Sequence, residues 1–378
     1  MAVSDPTHAA VRHATTRDCF LALREADGPL TVAEIAAGTG LSRPTVDSVL
    51  RDLAATGLVV AAPPGAGGQP GRPARRIALD AGSASVAALD IGSRTVRCVR
   101  ADASGAILAR SAVPVDGGGI ADAVLAAVRE TGEAPRSLGV SVPGIIGPDG
   151  RIAHSLVVPE LSGHDLAATL HDRLGCPVVV ENDIKLAAYA ERHLGASAQD
   201  IVFVQIGHRI SVALIVGGEI LQGSHRLAGE LGAQRGMRWT PSSQRGRLVW
   251  STGDEARPLL ERAAAGDAAA RAELEEFCEQ IAPRLAGLLL AVDPEVVVIG
   301  GGVSRAGETL LAPLRRALHH QLMTPQHPEI VAARRPGDGS LLGALGRAFE
   351  HGSAELIGVP GVPPPWYRLN PALREDHP

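Results

Sequence analysis

An order of elements that occurs twice constrains this chain more than any other feature. Residues 84–91, 95–101 and 106–115 read as three successive strands, followed by a helix over 120–131 and a strand over 138–142. Residues 177–180 form a buried strand that feeds a helix over 184–194. The order then returns: strands over 201–206, 211–216 and 219–222, helical segments, and a buried strand over 295–299. Two similar α/β halves with a cleft between them follow. Open parallel sheets bind ligands beyond the carboxyl ends of their strands. Asp90-Ile91-Gly92, Glu181-Asn182-Asp183, the loop after Ile206 and Gly300-Gly301-Gly302 are therefore expected around that cleft.

A different pattern precedes the repeat. One helix fits residues 11–26, where Val11, Phe20 and Leu23 stand among polar neighbours before the breaker Asp27-Gly28-Pro29. Thr31 can cap a short second helix that ends at Gly38-Thr39-Gly40. Ser42 can cap a third, with Pro44 in its first turn and Val46, Val49, Leu50 and Leu53 as its buried stripe. Two short helices around a glycine turn make a helix-turn-helix. The third helix turns Arg43, Thr45, Asp47, Ser48 and Arg51 outward, and residues near the start of such a helix reach base edges in the major groove. Arg43 can bond two guanine acceptors at once. Ser42, Thr45 and Ser48 offer hydroxyls, and Arg51 suits a phosphate. A solvated helix face is the competing reading.

Two short strands flank a glycine-proline loop over 61–76 and form a wing. Its Gly71-Arg72-Pro73 triplet, with Arg75 and Arg76, suits an A·T-rich minor groove; a plain flexible linker fits the same composition. Residues 1–80 hold eight arginines against eight acidic residues, and the whole chain has a net charge of −5. DNA binding must therefore rest on this local cluster and on doubling by dimerisation. Of 36 basic residues only Lys185 is a lysine, a bias that resembles GC-rich coding more than a selected charge pattern.

Cys19, Cys98, Cys176 and Cys278 are scattered with no CxxC pair, so reduced cytoplasmic thiols are expected rather than disulfides or a thiolate zinc site. No apolar run reaches 18 residues and no signal peptide is evident, so neither a membrane span nor membrane partners are expected.

A helix-turn-helix ahead of Asp90-Ile91-Gly92, Val142-Pro143-Gly144, Glu181-Asn182-Asp183, Ala228-Gly229-Glu230-Leu231-Gly232 and Val297–Ser304 resembles the ROK family of repressors, open reading frames and kinases. The likeness runs from about residue 10 to 350. It implies an α/β fold: an N-terminal winged helix-turn-helix followed by an actin-like, hexokinase-like two-lobed ROK domain. Asn182, Asp183 and Glu230 match the family's sugar contacts, and Asp183 its catalytic base; a helix N-cap at Asp183 is the bland alternative. A family asparagine expected near Leu156–Pro159 is not evident; His154, Glu160 and His164 lie in that region as substitutes, with a plain surface residue as the competing reading for each.

The family's nucleotide cradle is altered. Kinases of the family read Asp-Ile-Gly-Gly-Thr-Lys where this chain reads Asp90-Ile91-Gly92-Ser93-Arg94-Thr95. Of four glycines in the family's second loop, only Gly207 remains, with Arg209 beside it. Side chains in such loops fill the space through which backbone approaches phosphate. Gly301 persists, for which a tight turn is sufficient reason. The family's zinc stretch is also missing, with Ala233 in place of a histidine and no cysteine over 234–243. These departures lead to the expectation of no cofactor, no metal and no enzyme activity.

The organisation read from sequence is a DNA-binding domain over 1–80, a ROK domain over 81–350 with lobes of about 84–195 and 196–350, and a proline-rich tail over 351–378 that docks by Trp366-Tyr367 or is partly disordered. The function expected is a homodimeric or higher-order repressor that binds a double-stranded operator and senses a sugar or sugar phosphate. A ligand-independent regulator with a vestigial cleft and an ATP-dependent sugar kinase stand as alternatives.

Overall fold

A computed structural model describes residues 6–63, 75–116, 119–244 and 246–369. The chain opens with α1 (Pro6–Glu25), β1 (Leu30–Thr31), α2 (Val32–Thr39), α3 (Arg43–Ala55), β2 (Val59–Ala62) and β3 (Arg76–Leu79). Local chemistry sets both short helices. Thr31 and Glu34 form a reciprocal capping box at α2, which ends on left-handed Gly40. Ser42 caps α3 by accepting from Thr45 N. Val46, Val49, Leu50 and Leu53 are buried with Ile35 of α2 and Phe20 and Leu23 of α1, each contributing about 1.5–3 kcal/mol on burial. The strands pair in the order β1-β3-β2 and form the base of a wing. Helix α1 begins earlier than residue 11, since polar Pro6-Thr7-His8 carries no periodic signal.

The chain continues through β4 (Ser85–Ile91), β5 (Thr95–Asp102), β6 (Ile107–Pro114), α4 (Gly119–Glu130), β7 (Ser137–Val142), β8 (Ile145–Ile146), β9 (Ile152–His154), α5 (Leu166–Leu174), β10 (Val178–Asn182) and α6 (Asp183–Glu191). It goes on to β11 (Ile201–Ile206), β12 (Ile210–Val216), β13 (Glu219–Ile220), α7 (Arg257–Ala264), α8 (Ala268–Val292), β14 (Val296–Gly300), α9 (Glu308–Gln321), β15 (Glu329–Ala332), α10 (Gly339–His351), α11 (Ser353–Ile357) and α12 (Trp366–Leu369). The repeat read from sequence is present as two five-stranded sheets, ordered β10-β7-β4-β5-β6 and β13-β12-β11-β14-β15. The β8–β9 hairpin, α5 and β15 carry too little periodicity to be read from sequence. β13 stops at Ile220, short of residue 222, because Gln222 turns away to bond Glu181.

The compact units divide differently from the lobes drawn along the sequence. One comprises Met1–Val140, Ala167–Val179 and Ala344–Pro378; the other comprises Ser141–Leu166 and Val180–Gly343. Packing, not chain order, sets this division. In the first unit α10 lies so close to β7 that a Cβ on Gly139 would stand 1.9 Å from the Ala344 carbonyl oxygen. In the second, a Cβ on Gly343 would stand 2.1 Å from the Leu186 oxygen, so the two ends of α10 belong to different units. The second unit's core joins Val204, Ile206, Phe277, Ile281 and Ile299.

Within the first unit, the described part of the tail docks. A Cβ on Gly346 would lie 2.2 Å from the Trp366 ring. Tyr367 Oη and Arg368 Nη2 donate to the Arg24 carbonyl at the end of α1, at 3.3 and 2.9 Å, and Arg24 Nη1 donates to the Pro363 carbonyl at 2.8 Å. A cation thus meets the negative end of a helix dipole. Cys19, Cys98, Cys176 and Cys278 are all buried free thiols, and no helix among the described residues is long and apolar enough to cross a membrane.

Candidate functional site

The structure presents Arg43, Ser48 and Arg51 on the exposed face of α3, with Thr45 half-buried beside them. Arg43 has no hydrogen-bond or ion-pair partner among the described residues. Ser42 is engaged as the cap, its Oγ 2.8 Å from Thr45 Oγ1. Arg51 Nε turns back to the Asp47 carbonyl at 3.3 Å. Arg75 is exposed at the wing base. Arg76, which sequence grouped with the DNA contacts, bonds the Pro29 carbonyl at 3.1 Å and lies 3.7 Å from Glu34, so it also braces the wing against α2. Arg72 lies outside the described residues.

In the second unit, the end of β10 and the start of α6 collect the ligand candidates. Asn182, not Asp183, caps α6: its Oδ1 accepts from Ile184 N and Lys185 N, each at 3.0 Å. Its Nδ2 donates to the Gly144 carbonyl at 2.9 Å, which leaves one amide hydrogen for a ligand. Asp183 stands half-buried in the first turn, Oδ1 accepting from Ile184 N at 3.0 Å. The residues beside Gly144 are held by Ser155, whose Oγ donates to the Pro143 carbonyl. His154, Glu160 and His164 are exposed on that segment.

Glu230 lies in the turn 228–232, and Gly229 allows that turn to pass β12. Gly229 has φ +82°, and a Cβ there would meet the Val212 carbonyl oxygen at 2.6 Å. Burial raises the Glu230 carboxyl above its ordinary value of 4.5; neighbouring Glu181 adds to the rise and Lys185 opposes it. Sequence reasoning placed Glu181 near the cleft but missed three members of this polar cluster, Lys185, Gln222 and Arg226. Buried Glu181 accepts from Asn182 N at 2.8 Å and from Gln222 Nε2, and lies 3.7 Å from Arg226 Nη1. Lys185, only 3% exposed, donates to Gln222 Oε1 at 3.0 Å and to the Arg226 carbonyl at 3.4 Å. The signal that could have found it was its being the chain's single lysine.

The loops expected to meet a nucleotide fall in separate units. In the first, Asp90 pairs across the β4–β5 hairpin with Arg97 at 2.6 Å, Gly92 N donates to the Thr95 carbonyl at 3.0 Å, and Arg94 is exposed at the tip. In the second, Gly207 N donates to the Arg209 carbonyl at 3.0 Å, closing the β11–β12 turn. Burial and nearby Arg247 lower the Arg209 guanidinium below its ordinary value. Gly301 has a packing reason, since a Cβ there would stand 2.4 Å from the Ile206 carbonyl oxygen.

Comparison with known proteins places these features. Residues 20–63 match the IclR helix-turn-helix domain. Over 212 residues the chain is 34% identical to a bifunctional enzyme NanE/NanK of Brucella suis biovar 1, a match covering 52% of this chain and 40% of that protein. The chain thus spans about two fifths of that relative's length. An N-acetylmannosamine kinase of Citrobacter koseri is 29% identical over 285 residues, 69% of this chain and 97% of the kinase. A solved ROK family transcriptional regulator, a homologue of the E. coli Mlc protein, shares the fold with a TM-score of 0.68 over 92% of this chain and 99% of its own, at 16% identity.

The fold class expected from sequence is the one these likenesses show. The expectation that the chain is no enzyme is corrected by them: relatives matched over most of their own length are named N-acetylmannosamine kinase and glucokinase. The ROK family matches residues 86–247 and 243–349, directly behind a helix-turn-helix, and the chain belongs to the ROK family.

Proposed function

We propose that the chain is a DNA-binding transcriptional regulator, a cytoplasmic repressor working as a homodimer, whose ROK domain binds a neutral sugar. The observation that carries the reading is the capped helix α3, which offers exposed, unpartnered Arg43 beside Ser48 on a chain that also carries a sugar-type cluster. Two copies of α3 double the number of DNA contacts without adding net charge, with Arg72 and Arg75 adding wing contacts to phosphate or minor groove.

Asp183 and Glu230 accept hydroxyl hydrogens, and Asn182 donates its remaining amide hydrogen. Glu181, Asp183 and Glu230 outnumber Lys185 and Arg226, so an uncharged polyol suits the cluster better than a sugar phosphate. The sugar acts on DNA binding through unequal affinity for two conformations of the protein. The test is a thermal-shift screen of the full chain against hexoses, N-acetylated hexosamines and their phosphates. Stabilisation by a neutral sugar supports sensing; silence across the panel favours a regulator that ignores metabolites.

A second reading is a sugar kinase, favoured by Asp183. Its carboxylate at the first turn of α6 suits a base for a sugar hydroxyl. ATP-dependent phosphorylation of a hexose that Asp183→Asn abolishes would establish it.

A further inference from the structure

Lys185 is the single lysine of a chain with 36 basic residues, and it is buried two positions after Asp183. A buried ammonium persists only where acceptors and opposite charge compensate its lost hydration. Those acceptors sit on the segment leading to Glu230: Gln222 Oε1 at 3.0 Å and the Arg226 carbonyl at 3.4 Å. Arg226 has φ +60°, a left-handed backbone that a non-glycine residue keeps only where its surroundings hold it. Here Lys185 holds its carbonyl and Glu181 its guanidinium. Glu181 also accepts from Gln222, so Lys185, Gln222, Glu181 and Arg226 form one connected network. It joins the helix that bears Asp183 to the turn that bears Glu230.

We infer that Lys185 is a positioning residue of the sugar site, fastening the 222–230 segment to the start of α6 so that Glu230 and Asp183 face one ligand. This rests on the reading of Asp183 and Glu230 as sugar contacts. The ammonium has an electrostatic effect as well. Burial pushes the Glu230 carboxyl up, Lys185 is the cation that opposes it, and Glu181 adds to the rise. The other charged groups of the cluster are Asp183 on α6 and Arg226, which is paired to Glu181; β12 beneath carries no titratable side chain. An ionised Glu230 accepts two hydroxyl hydrogens where the protonated acid accepts fewer, so sugar affinity falls as pH drops through the raised Glu230 value. Without Lys185 that fall moves to higher pH.

Because the chain has one lysine, ε-15N-lysine labelling of this 378-residue chain yields a single side-chain ammonium resonance. The expected result at neutral pH is a resonance protected from solvent exchange, moved by Glu230→Gln without sugar and moved in the wild type by whichever hexose or N-acetylated hexosamine gives a thermal shift. Lys185→Met should weaken that sugar by about tenfold or more and shift the acid-side loss of affinity to higher pH, whereas Lys185→Arg keeps the pH profile. Should Lys185→Met fail to fold, the labelled wild type and Glu230→Gln still decide the matter. Equal affinity and an unchanged pH profile in Lys185→Met, or a resonance indifferent to Glu230→Gln, overturns the proposal while the sugar reading stands. A wild type that no sugar shifts overturns the sugar reading and, with it, the ligand role of Lys185.

Discussion

Asn182 donates through Nδ2 to the Gly144 carbonyl at 2.9 Å while its Oδ1 caps α6, so one buried side chain fixes both the helix that carries Asp183 and the turn after β7. Asn182→Ala loses both functions and should cost about 2–3 kcal/mol in urea unfolding, the cap contributing about 1 and the orphaned carbonyl the rest. Asn182→Asp keeps the cap and loses the donor, so its cost should be visibly smaller. Equal costs would show that the link to Gly144, not the cap, is what Asn182 supplies.

Arg43 is exposed and without a hydrogen-bond or ion-pair partner among the described residues, so Arg43→Ala should leave unfolding unchanged within about 0.5 kcal/mol. DNA affinity should fall about tenfold to a hundredfold with relaxed preference at one base position. Ser42→Ala should do the reverse: about 1 kcal/mol of stability lost through the α3 cap, with sequence preference retained. Titrations at one fixed salt concentration separate the two.

His193 gives a pH dependence of definite sign. Burial first, and Arg192 second, lower it from 6.5 to about 4, and Arg192 Nη1 lies 3.0 Å from its Nε2, a contact suited to neutral imidazole. A depressed folded value means that its stabilising contribution is whole above pH 6.5 and is lost as pH falls toward 4. Buried Glu191 and Glu230 are raised and act in the opposite sense, so the test is a difference. The stability gap between wild type and His193→Gln, measured in urea at stepped pH, should narrow from pH 7 to 4.5. A constant gap would contradict the assignment.

Gly229→Ala meets two penalties, a left-handed backbone and an approach of 2.6 Å to the Val212 carbonyl. The expected loss is at least about 2 kcal/mol. Gly232→Ala in the same turn, where a Cβ meets nothing within 4 Å, serves as the control. Circular dichroism melts of the pair would show whether Gly229 is required for packing.

Much of this was legible in the sequence because it is local. Thr31, Ser42 and Gly40 mark the helix ends, and the apolar strands of both sheets announce themselves by periodicity. What escaped is long-range. Arg76 reads as one more cation in a basic run until Pro29 and Glu34 are seen around it. Lys185 is 37 residues from Gln222 and 41 from Arg226, and the three become one network only on folding. The boundary drawn at residue 195 followed the repeat along the chain, whereas α10 shows that packing returns residues after 343 to the first unit.

The central claim is that this chain reads DNA and that a sugar in its ROK domain changes the reading. Genome-wide mapping of its bound sites supplies the duplex, and fluorescence anisotropy of the full chain at fixed salt then measures affinity with and without the stabilising sugar. The account predicts binding at least about a thousandfold tighter than to unrelated duplex, weakened about tenfold to a hundredfold in Arg43→Ala and altered by the sugar. Equal affinity for mapped and unrelated DNA would contradict it.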